Sequence, residues 1–211
     1  MAEQHGEQMG RSATKRRSIL TTARTLFLHK GFDGVSMDEV AALAAVSKQT
    51  VYKQFSDKKS LFVAVVTGDI NETEALTHDM VAALAGSTDL AEDLREFARH
   101  HVVEVTRPHL IALRRIMIAE AERFPELAKT WYASGPERAH AAFAELFEGL
   151  HRRGLLRVDD PDLAAQHFNW LILSTPLNKA MFDATVQFTA HELHRYADEG
   201  VRVFLAAYEA A

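Results

Sequence analysis

Polar and basic side chains between residues 36 and 58 have the types and spacing needed to bind a row of phosphate groups. Lys48 falls in the first turn of one predicted helix, and Lys58 opens the next. A lysine at a helix N-terminus opposes the helix dipole at a cost of about 0.3–1 kcal/mol. A bound anion reverses that sign, because it interacts with both the lysine and the free backbone N–H groups. The residues predicted to contact DNA are Ser36, Ser47, Lys48, Gln49, Thr50, Tyr52, Lys53 and Lys58.

Two kinds of DNA contact are expected within this set. Gln49 is the candidate for a base edge, because a glutamine amide can pair with adenine in the major groove. Tyr52, Lys53 and Lys58, together with the two serines, are expected to hold phosphates. The alternative is that the lysines are ordinary solvated side chains, as most surface charges are.

The same stretch predicts two short helices joined by a tight turn. Ser36 is a good N-cap residue for the first helix, and Ser47 caps the second. Asp38 and Glu39 place acidic groups in the first turn of the first helix, where the helix dipole favours them. Apolar residues recur at helical spacing and would face the core. These are Met37, Val40, Ala41, Ala44, Val51 and Phe55.

The segment from about Ser12 to Val66 resembles the DNA-binding domain of the TetR family of bacterial regulators. The resemblance implies an all-α homodimer whose helix-turn-helix places a third helix in the major groove of a roughly palindromic operator. The matching residues are Ala23-x-x-Leu-Phe, Lys30-Gly31-Phe32, Ser36-Met37-Asp38-Glu39-Val40-Ala41, Val46-Ser47-Lys48, Val51-Tyr52, Phe55 and Lys58-x-x-Leu61.

One turn residue departs from the family pattern. The family usually has glycine two residues before the second cap, and this chain has Ala45. If that position needs a positive φ, alanine carries strain of about 1 kcal/mol there. We therefore expect the turn to differ slightly in shape, which affects the placement of the helix that follows.

The predicted organisation is an all-α chain with a small head and a larger body. Residues 1–11 are expected to form a disordered tail, because they are polar. Residues 12–57 are predicted to be a three-helix DNA-binding domain, and residues 58–211 a helical domain for ligand binding and dimerisation. A long helix over 57–85 is expected to link the two domains.

The charge distribution fits this division. The formal net charge is -5. Residues 1–60 carry ten Lys/Arg against six Asp/Glu, a net of +4, so the remainder carries -9. A basic head on an acidic body is expected of a DNA-binding protein with a second domain. The absence of cysteine excludes disulfides and thiolate metal sites. No apolar run reaches the length of a membrane span, and no secretory signal is visible, so a cytoplasmic location is expected.

Apolar residues at three- and four-residue spacing form a seam along the last helix. The last two helices of TetR-like proteins form a four-helix bundle across the dimer axis, so the resemblance favours a dimer interface here. The pattern alone is equally typical of an intramolecular core stripe. The predicted interface residues are Tyr196, Gly200, Val201, Phe204 and Tyr208.

Large apolar and aromatic residues of the body, with a few polar groups among them, are typical of a small-molecule pocket. They are equally typical of a packed core, and a satisfied internal hydrogen bond is an alternative for the polar members. The stretch RRIMIAEAERFPEL, residues 114–127, resembles the AefR-like subgroup of TetR C-terminal domains. The predicted ligand-binding residues are Phe97, His101, Met117, Glu120, Phe143, Phe147, Phe168 and Trp170.

Catalytic signals are weak in this sequence. His191 and His194 are three residues apart rather than the four of a zinc-protease helix, and no phosphate-binding loop or nucleophile motif is present. We predict no catalytic residue, metal or cofactor. The predicted function is a repressor released from its operator by a small, partly apolar molecule. The alternative is a helical ligand carrier or enzyme whose helix-turn-helix does not bind DNA.

Overall fold

The computed structural model confirms the all-α fold class. It describes residues 2–68, 81, 84 and 86–210, with side chains from Ser12 onward. Within this described part, extended backbone pairs at a single bridge, between Leu156 and Glu209. The helices are α1 (Ala2–Lys30), α2 (Met37–Leu43), α3 (Lys48–Gln54), α4 (58–68), α5 (Leu90–Val105), α6 (Pro108–Ala119), α7 (Pro125–Tyr132), α8 (Arg138–Arg152), α9 (Pro161–Phe182) and α10 (Ala190–Tyr208).

The chain divides into two compact units. The first unit comprises Met1–Asp69 and Ile116–Ala128, and the second comprises Ile70–Arg115 and Lys129–Ala211. The first unit is therefore larger than the head predicted over 12–57. It also takes in α4 and the turn that follows α6.

Helix α1 is longer than predicted. It begins at Ala2 rather than near Ser12, so the expectation of a disordered tail over residues 1–11 is corrected. That segment is polar, but Ala, Glu, Gln and Met are strong helix formers that can extend an existing helix. The helix ends as predicted at Gly31, which has a φ of 67° and donates its N–H to the Phe27 carbonyl.

The predicted linking helix over 57–85 is described only in part. Helix α4 covers 58–68, and Val81 and Leu84 are helical and buried. Residues 69–80, 82, 83 and 85 of that prediction lie outside the described residues.

Three helices of the second unit are capped by the side chain of the residue before them. The Asp89 side chain accepts the Glu92 N–H at the start of α5. Asp160 caps α9, with a proline at the first helical position. Thr189 forms a capping box at the start of α10. Helices α5 and α8 pack against α9, and α10 packs against both α5 and α9.

The helix geometry changes at the Gly135–Pro136 step. Residues Ala133–Glu137 form one π-helical turn that joins α7 to α8 without a loop. Proline lacks the N–H for a regular helical hydrogen bond, so a wider turn accommodates it.

The seam of α10 packs inside the chain. Phe204 is fully buried, and its ring centroid lies 4.9 Å from that of Phe147 and 5.1 Å from that of Phe168. A Cβ on Gly200 would lie 3.1 Å from the backbone of Leu171, so this glycine permits a close approach of α10 to α9. Val201 is also fully buried.

The predicted dimer interface is therefore corrected for three residues: Gly200, Val201 and Phe204 contribute to an intramolecular core. The sequence pattern could not distinguish the two arrangements, because both need a continuous apolar stripe. Tyr208 stacks on Phe204 and is half-buried, as is Tyr196, so a dimer contact stays a prediction for these two residues.

Candidate nucleic-acid interface

Both caps of the predicted helix-turn-helix are formed. The Ser36 hydroxyl accepts the Glu39 N–H at 3.1 Å, which fixes the start of α2. The Ser47 hydroxyl accepts the Thr50 N–H at 3.2 Å and fixes the start of α3. The two serines thus already serve their own helices, so any phosphate contact would use the remaining bonding capacity of each hydroxyl.

The turn between α2 and α3 is a Schellman motif with alanine at the position that glycine usually occupies. Ala45 has a φ of 54° and donates its N–H to the Ala42 carbonyl, while the Val46 N–H reaches the Ala41 carbonyl at 3.1 Å. The positive φ anticipated from the sequence is confirmed. A hydroxyl of α1 supports the turn, because Ser18 Oγ donates to the Ala44 carbonyl at 3.2 Å.

Helix α3 has one buried and one exposed side. Val51 is fully buried, and Phe55, which ends the helix, is 4% exposed. Gln49, Tyr52 and Lys53 lie on the opposite side and are exposed. The arrangement leaves an amide, a phenol and an ammonium group free to meet a ligand as large as a duplex.

Lys48 and Lys58 have partners within the first unit. Lys48 Nζ lies 2.6 Å from Asp38 Oδ2, in an ion pair whose side chains are both more than half exposed. Lys58 Nζ lies 4.5 Å from the centre of the Phe32 ring and 3.4 Å from the Asp33 carbonyl oxygen. An exposed ion pair contributes about 0–1 kcal/mol, so a phosphate could readily take the place of Asp38.

An aromatic cluster beneath Lys58 includes a residue from outside the predicted head. The Phe124 ring centroid lies 4.9 Å from that of Phe32, which also packs on Phe62 at 5.1 Å. Arg123 Nη1 lies 2.7 Å from Asp33 Oδ1, and this hydrogen bond holds the pKa of Asp33 below its usual value. Sequence reasoning missed this contact, because Arg123 and Phe124 are remote in sequence from Asp33.

Four of the predicted ligand-binding aromatics come together in the second unit. The Phe143 ring centroid lies 5.4 Å from that of Phe97 and 5.5 Å from that of Phe168, and Phe147 packs beside them. All four residues are buried. They form a dense core, which agrees with the alternative considered for these residues from the sequence.

A chain of neutral polar groups crosses this core. His101 Nε2 lies 3.1 Å from Asn169 Oδ1, and Asn169 Nδ2 lies 3.0 Å from His140 Nε2. An amide oxygen only accepts, so His101 donates from Nε2, and Asn169 in turn donates to His140. Burial lowers the pKa of His101 to about 4 and also lowers the pKa of His140. An asparagine between aromatic residues of α9 was the sequence signal for this partner, and it was missed.

The other three predicted ligand-binding residues lie elsewhere. Met117 and Glu120 belong to the first unit, where Glu120 Oε2 lies 3.7 Å from Arg123 Nη1. Trp170 is 44% exposed on α9, and its nearest ring is that of His140 at 6.4 Å. Trp170 is therefore not part of the buried aromatic core.

Two other kinds of feature are absent from the described part of the chain. Among the described residues, no cluster of three or more His, Cys, Asp or Glu side chains could hold a metal ion. No helix in the described part of the chain is long and apolar enough to cross a membrane.

The sequence matches two known families. Residues 19–65 match the family described as bacterial regulatory proteins, tetR family, and residues 92–210 match the AefR-like transcriptional repressor C-terminal domain. The DNA-binding transcriptional repressor TetR of Mycobacteroides abscessus is 31% identical over 83 residues, which are 36% of this chain and 44% of the relative. The chain thus matches less than half the length of this curated relative.

Solved structures match over nearly the whole chain. A TetR-family transcriptional regulator from Mesorhizobium loti MAFF303099 is 40% identical with a TM-score of 0.90, covering 95% of this chain and 99% of that one. The flavonoid-responsive regulator FrrA is 30% identical with a TM-score of 0.67, covering 92% of this chain and 97% of that one.

Replacing Ala45 with glycine should stabilise the first unit. Glycine adopts a φ of 54° without steric cost, so Ala45→Gly is expected to raise the free energy of unfolding by about 1 kcal/mol. Ala42→Gly, at an exposed position inside α2, is the matched control and should lower it by about 0.5–1 kcal/mol. Urea unfolding at fixed protein concentration measures both changes. Equal destabilisation by the two variants would contradict the strain argument.

Burial of neutral His101 should make the protein less stable in acid. Its pKa is about 4 in the folded chain and about 6.5 in the unfolded chain, so between these values the unfolded state binds more protons. The contribution of His101 is complete above pH 6.5 and decreases as the pH falls, by up to about 3 kcal/mol at pH 4. Urea unfolding from pH 7 to 4.5 measures this slope. His101→Gln should reduce the slope, whereas His191→Gln, at an exposed site, should not. An unchanged slope in His101→Gln would refute the assignment.

Proposed function

Because the chain belongs to the TetR family of bacterial regulatory proteins, we propose that it is a ligand-responsive repressor that binds operator DNA in the bacterial cytoplasm. The two-sided α3 is the observation that carries this proposal. Val51 and Phe55 anchor one side in the core, and Gln49, Tyr52 and Lys53 are exposed on the other. An exposed polar helix after a tight turn suits insertion into a major groove.

The DNA contacts divide by chemistry. Gln49 reads a base edge, because its amide can both donate and accept. Lys53 and Tyr52 bind phosphates. Lys48 exchanges its ion pair with Asp38 for one with a phosphate. Lys58 also contributes to phosphate binding, but its contact with the Phe32 ring restricts the movement of its ammonium group.

The effector is a partly apolar small molecule that binds the second unit. The match of residues 92–210 to a repressor C-terminal domain supports this assignment. The similarity to the flavonoid-responsive regulator FrrA supports an aromatic effector for this chain as well. The effector must bind more tightly to the form that does not bind DNA, because a ligand with equal affinity for both forms would not change the equilibrium between them.

Signal transfer uses the end of α6. Helix α6 begins in the second unit, and the turn after it packs in the first unit through Arg123 and Phe124. A shift of α6 would pull on Asp33 and Phe32, which stand beside Lys58. Typical coupling free energies of about 1–3 kcal/mol would weaken operator binding about 5–150-fold.

The protein acts as a homodimer through the outer face of α9 and α10. Leu163, Trp170 and Leu171 of α9 are each at least 40% exposed, as is Val203 of α10. Leu171 belongs to the part of α9 whose backbone lies against Gly200 of α10, and α9 and α10 pack together. A second copy of the chain would bury these exposed apolar groups and would place two recognition helices on two half-sites.

The DNA assignment can be tested by selecting duplexes from a random library and measuring binding by fluorescence anisotropy. Gln49→Ala should change the preference at one base pair of each half-site by about 1–3 kcal/mol. Lys53→Ala should weaken binding to all sequences and reduce the salt slope by about one unit per half-site. Gln54→Ala is the control, because the Gln54 amide instead bonds Ser12 Oγ at 3.0 Å.

Two results would count against these DNA contacts. An unchanged binding-site preference in Gln49→Ala would show that Gln49 does not read a base. Failure of the wild-type protein to enrich any duplex would refute the DNA-binding function itself.

The dimer face can be tested with Leu171→Glu. A charge placed in a buried apolar interface is unfavourable by about 2 kcal/mol or more, so the dimer dissociation constant should rise roughly 30-fold or more and operator affinity should fall. Ile118→Glu is the matched control, because Ile118 is also an exposed aliphatic residue, on α6. Sedimentation velocity over a concentration series measures both variants. A Leu171→Glu protein with unchanged dimerisation would exclude this face.

A further inference from the structure

Arg114 on α6 has an unusual environment in the second unit. Its guanidinium carbon lies 5.2 Å from the centre of the Trp131 ring, and both side chains are half-buried. Within the described part of the chain, no carboxylate pairs with Arg114. Loss of water around the guanidinium lowers the pKa of Arg114, and the electrostatic interaction with Tyr132 acts in the opposite direction.

The neighbouring arginines have partners. Arg115 donates to the backbone carbonyls of Ala180 and Met181 at the end of α9, a structural role. Arg99 forms a two-pronged pair with Asp198, at 2.6 and 3.0 Å. Arg114 therefore differs from them, because its planar group stacks on an indole and keeps its N–H donors available.

A half-buried cation without an anion is costly, and the ring face of Trp131 compensates only part of the lost hydration. A carboxylate would compensate much more, since it can accept two parallel N–H hydrogen bonds from one guanidinium. The Trp131 ring beside it offers an apolar surface. A cation beside an aromatic ring suits a ligand that has an acid group and an apolar body.

We infer that Arg114 is the anchor for the carboxylate of an organic-acid effector, whose apolar part packs on Trp131. This inference rests on the proposed function, and it adds the chemical class of the effector. The carboxylate takes both N–H groups along one edge of the guanidinium, and no covalent change occurs.

The test compares acids with their neutral counterparts. Benzoate, trans-cinnamate and octanoate, each with its primary amide, are titrated against the full-length protein, with inorganic phosphate as a simple anion. Thermal stabilisation reports binding, and anisotropy of the selected operator duplex reports release. At least one organic acid should bind about 10–100-fold more tightly than its amide and should weaken operator binding. Phosphate should have little effect, because it lacks the apolar part.

Variants assign the preference to Arg114. Arg114→Gln should remove the difference between acid and amide, and Arg114→Lys should retain part of it, because lysine is a point charge without the two-pronged geometry. Arg95→Gln, which removes an arginine from an exposed pair with Glu92, should leave the preference unchanged. An acid preference that survives in Arg114→Gln, or no acid preference in the wild type, would overturn the inference.

Stability without ligand gives an independent measurement. Because no carboxylate of the described residues pairs with Arg114, Arg114→Met should leave the melting temperature unchanged or raise it by about 2–4 °C. A fall of several degrees would indicate a structural role and would overturn the inference. Operator binding by Arg114→Gln without ligand should equal that of the wild type. Loss of operator binding by every protein, wild type included, would instead point to failure of the proposed function.

Discussion

The position of α3 depends on contacts outside the helix. Seven residues are too few for a stable isolated helix, so tertiary contacts must hold it. Val51 and Phe55 bury one side, and the turn at Ala45 sets the angle at which the helix leaves α2. The bond from Ser18 to the Ala44 carbonyl ties that turn to α1. These few contacts set the position of every exposed side chain of α3. The strained Ala45 persists in the turn because the surrounding contacts fix its backbone conformation.

The basic side chains of the first unit differ in how easily they can change partner. Lys48 pairs with Asp38 in water, where such a pair contributes little, so exchange for a phosphate has a small net cost. Lys58 lies over Phe32 and beside the Asp33 carbonyl, so its movement would give up a ring contact as well as a hydrogen bond. Because the Asp33 carboxylate is paired with Arg123, it competes less with a phosphate for Lys58. The lysine that can change partner most easily is therefore Lys48, at the start of α3.

Local signals in the sequence predicted much of the fold, but they could not predict contacts between residues that are distant in the sequence. Caps such as Ser36 and Ser47 act within one helical turn, so their residue types were sufficient. An apolar stripe shows that a helix face is buried, but it does not show which element buries it. For this reason the α10 seam was predicted to face a second copy of the chain, whereas Gly200, Val201 and Phe204 pack inside the same chain. The contacts of Arg123 with Asp33 and of Asn169 with His101 join residues far apart in sequence, so no periodicity could reveal them.

Helix α6 connects the two proposed activities through one continuous backbone. Arg114 lies near its middle, within the second unit, and Arg123 follows in the turn beyond its end, within the first unit. An α-helix transmits a push along its axis because its backbone hydrogen bonds resist local change. A ligand that draws Arg114 towards itself therefore acts on the same segment that holds Asp33 and packs Phe124 among the rings of the first unit. Because packed aromatic clusters move between discrete arrangements rather than deforming continuously, a small displacement of α6 can be converted into a change of state beside Lys58.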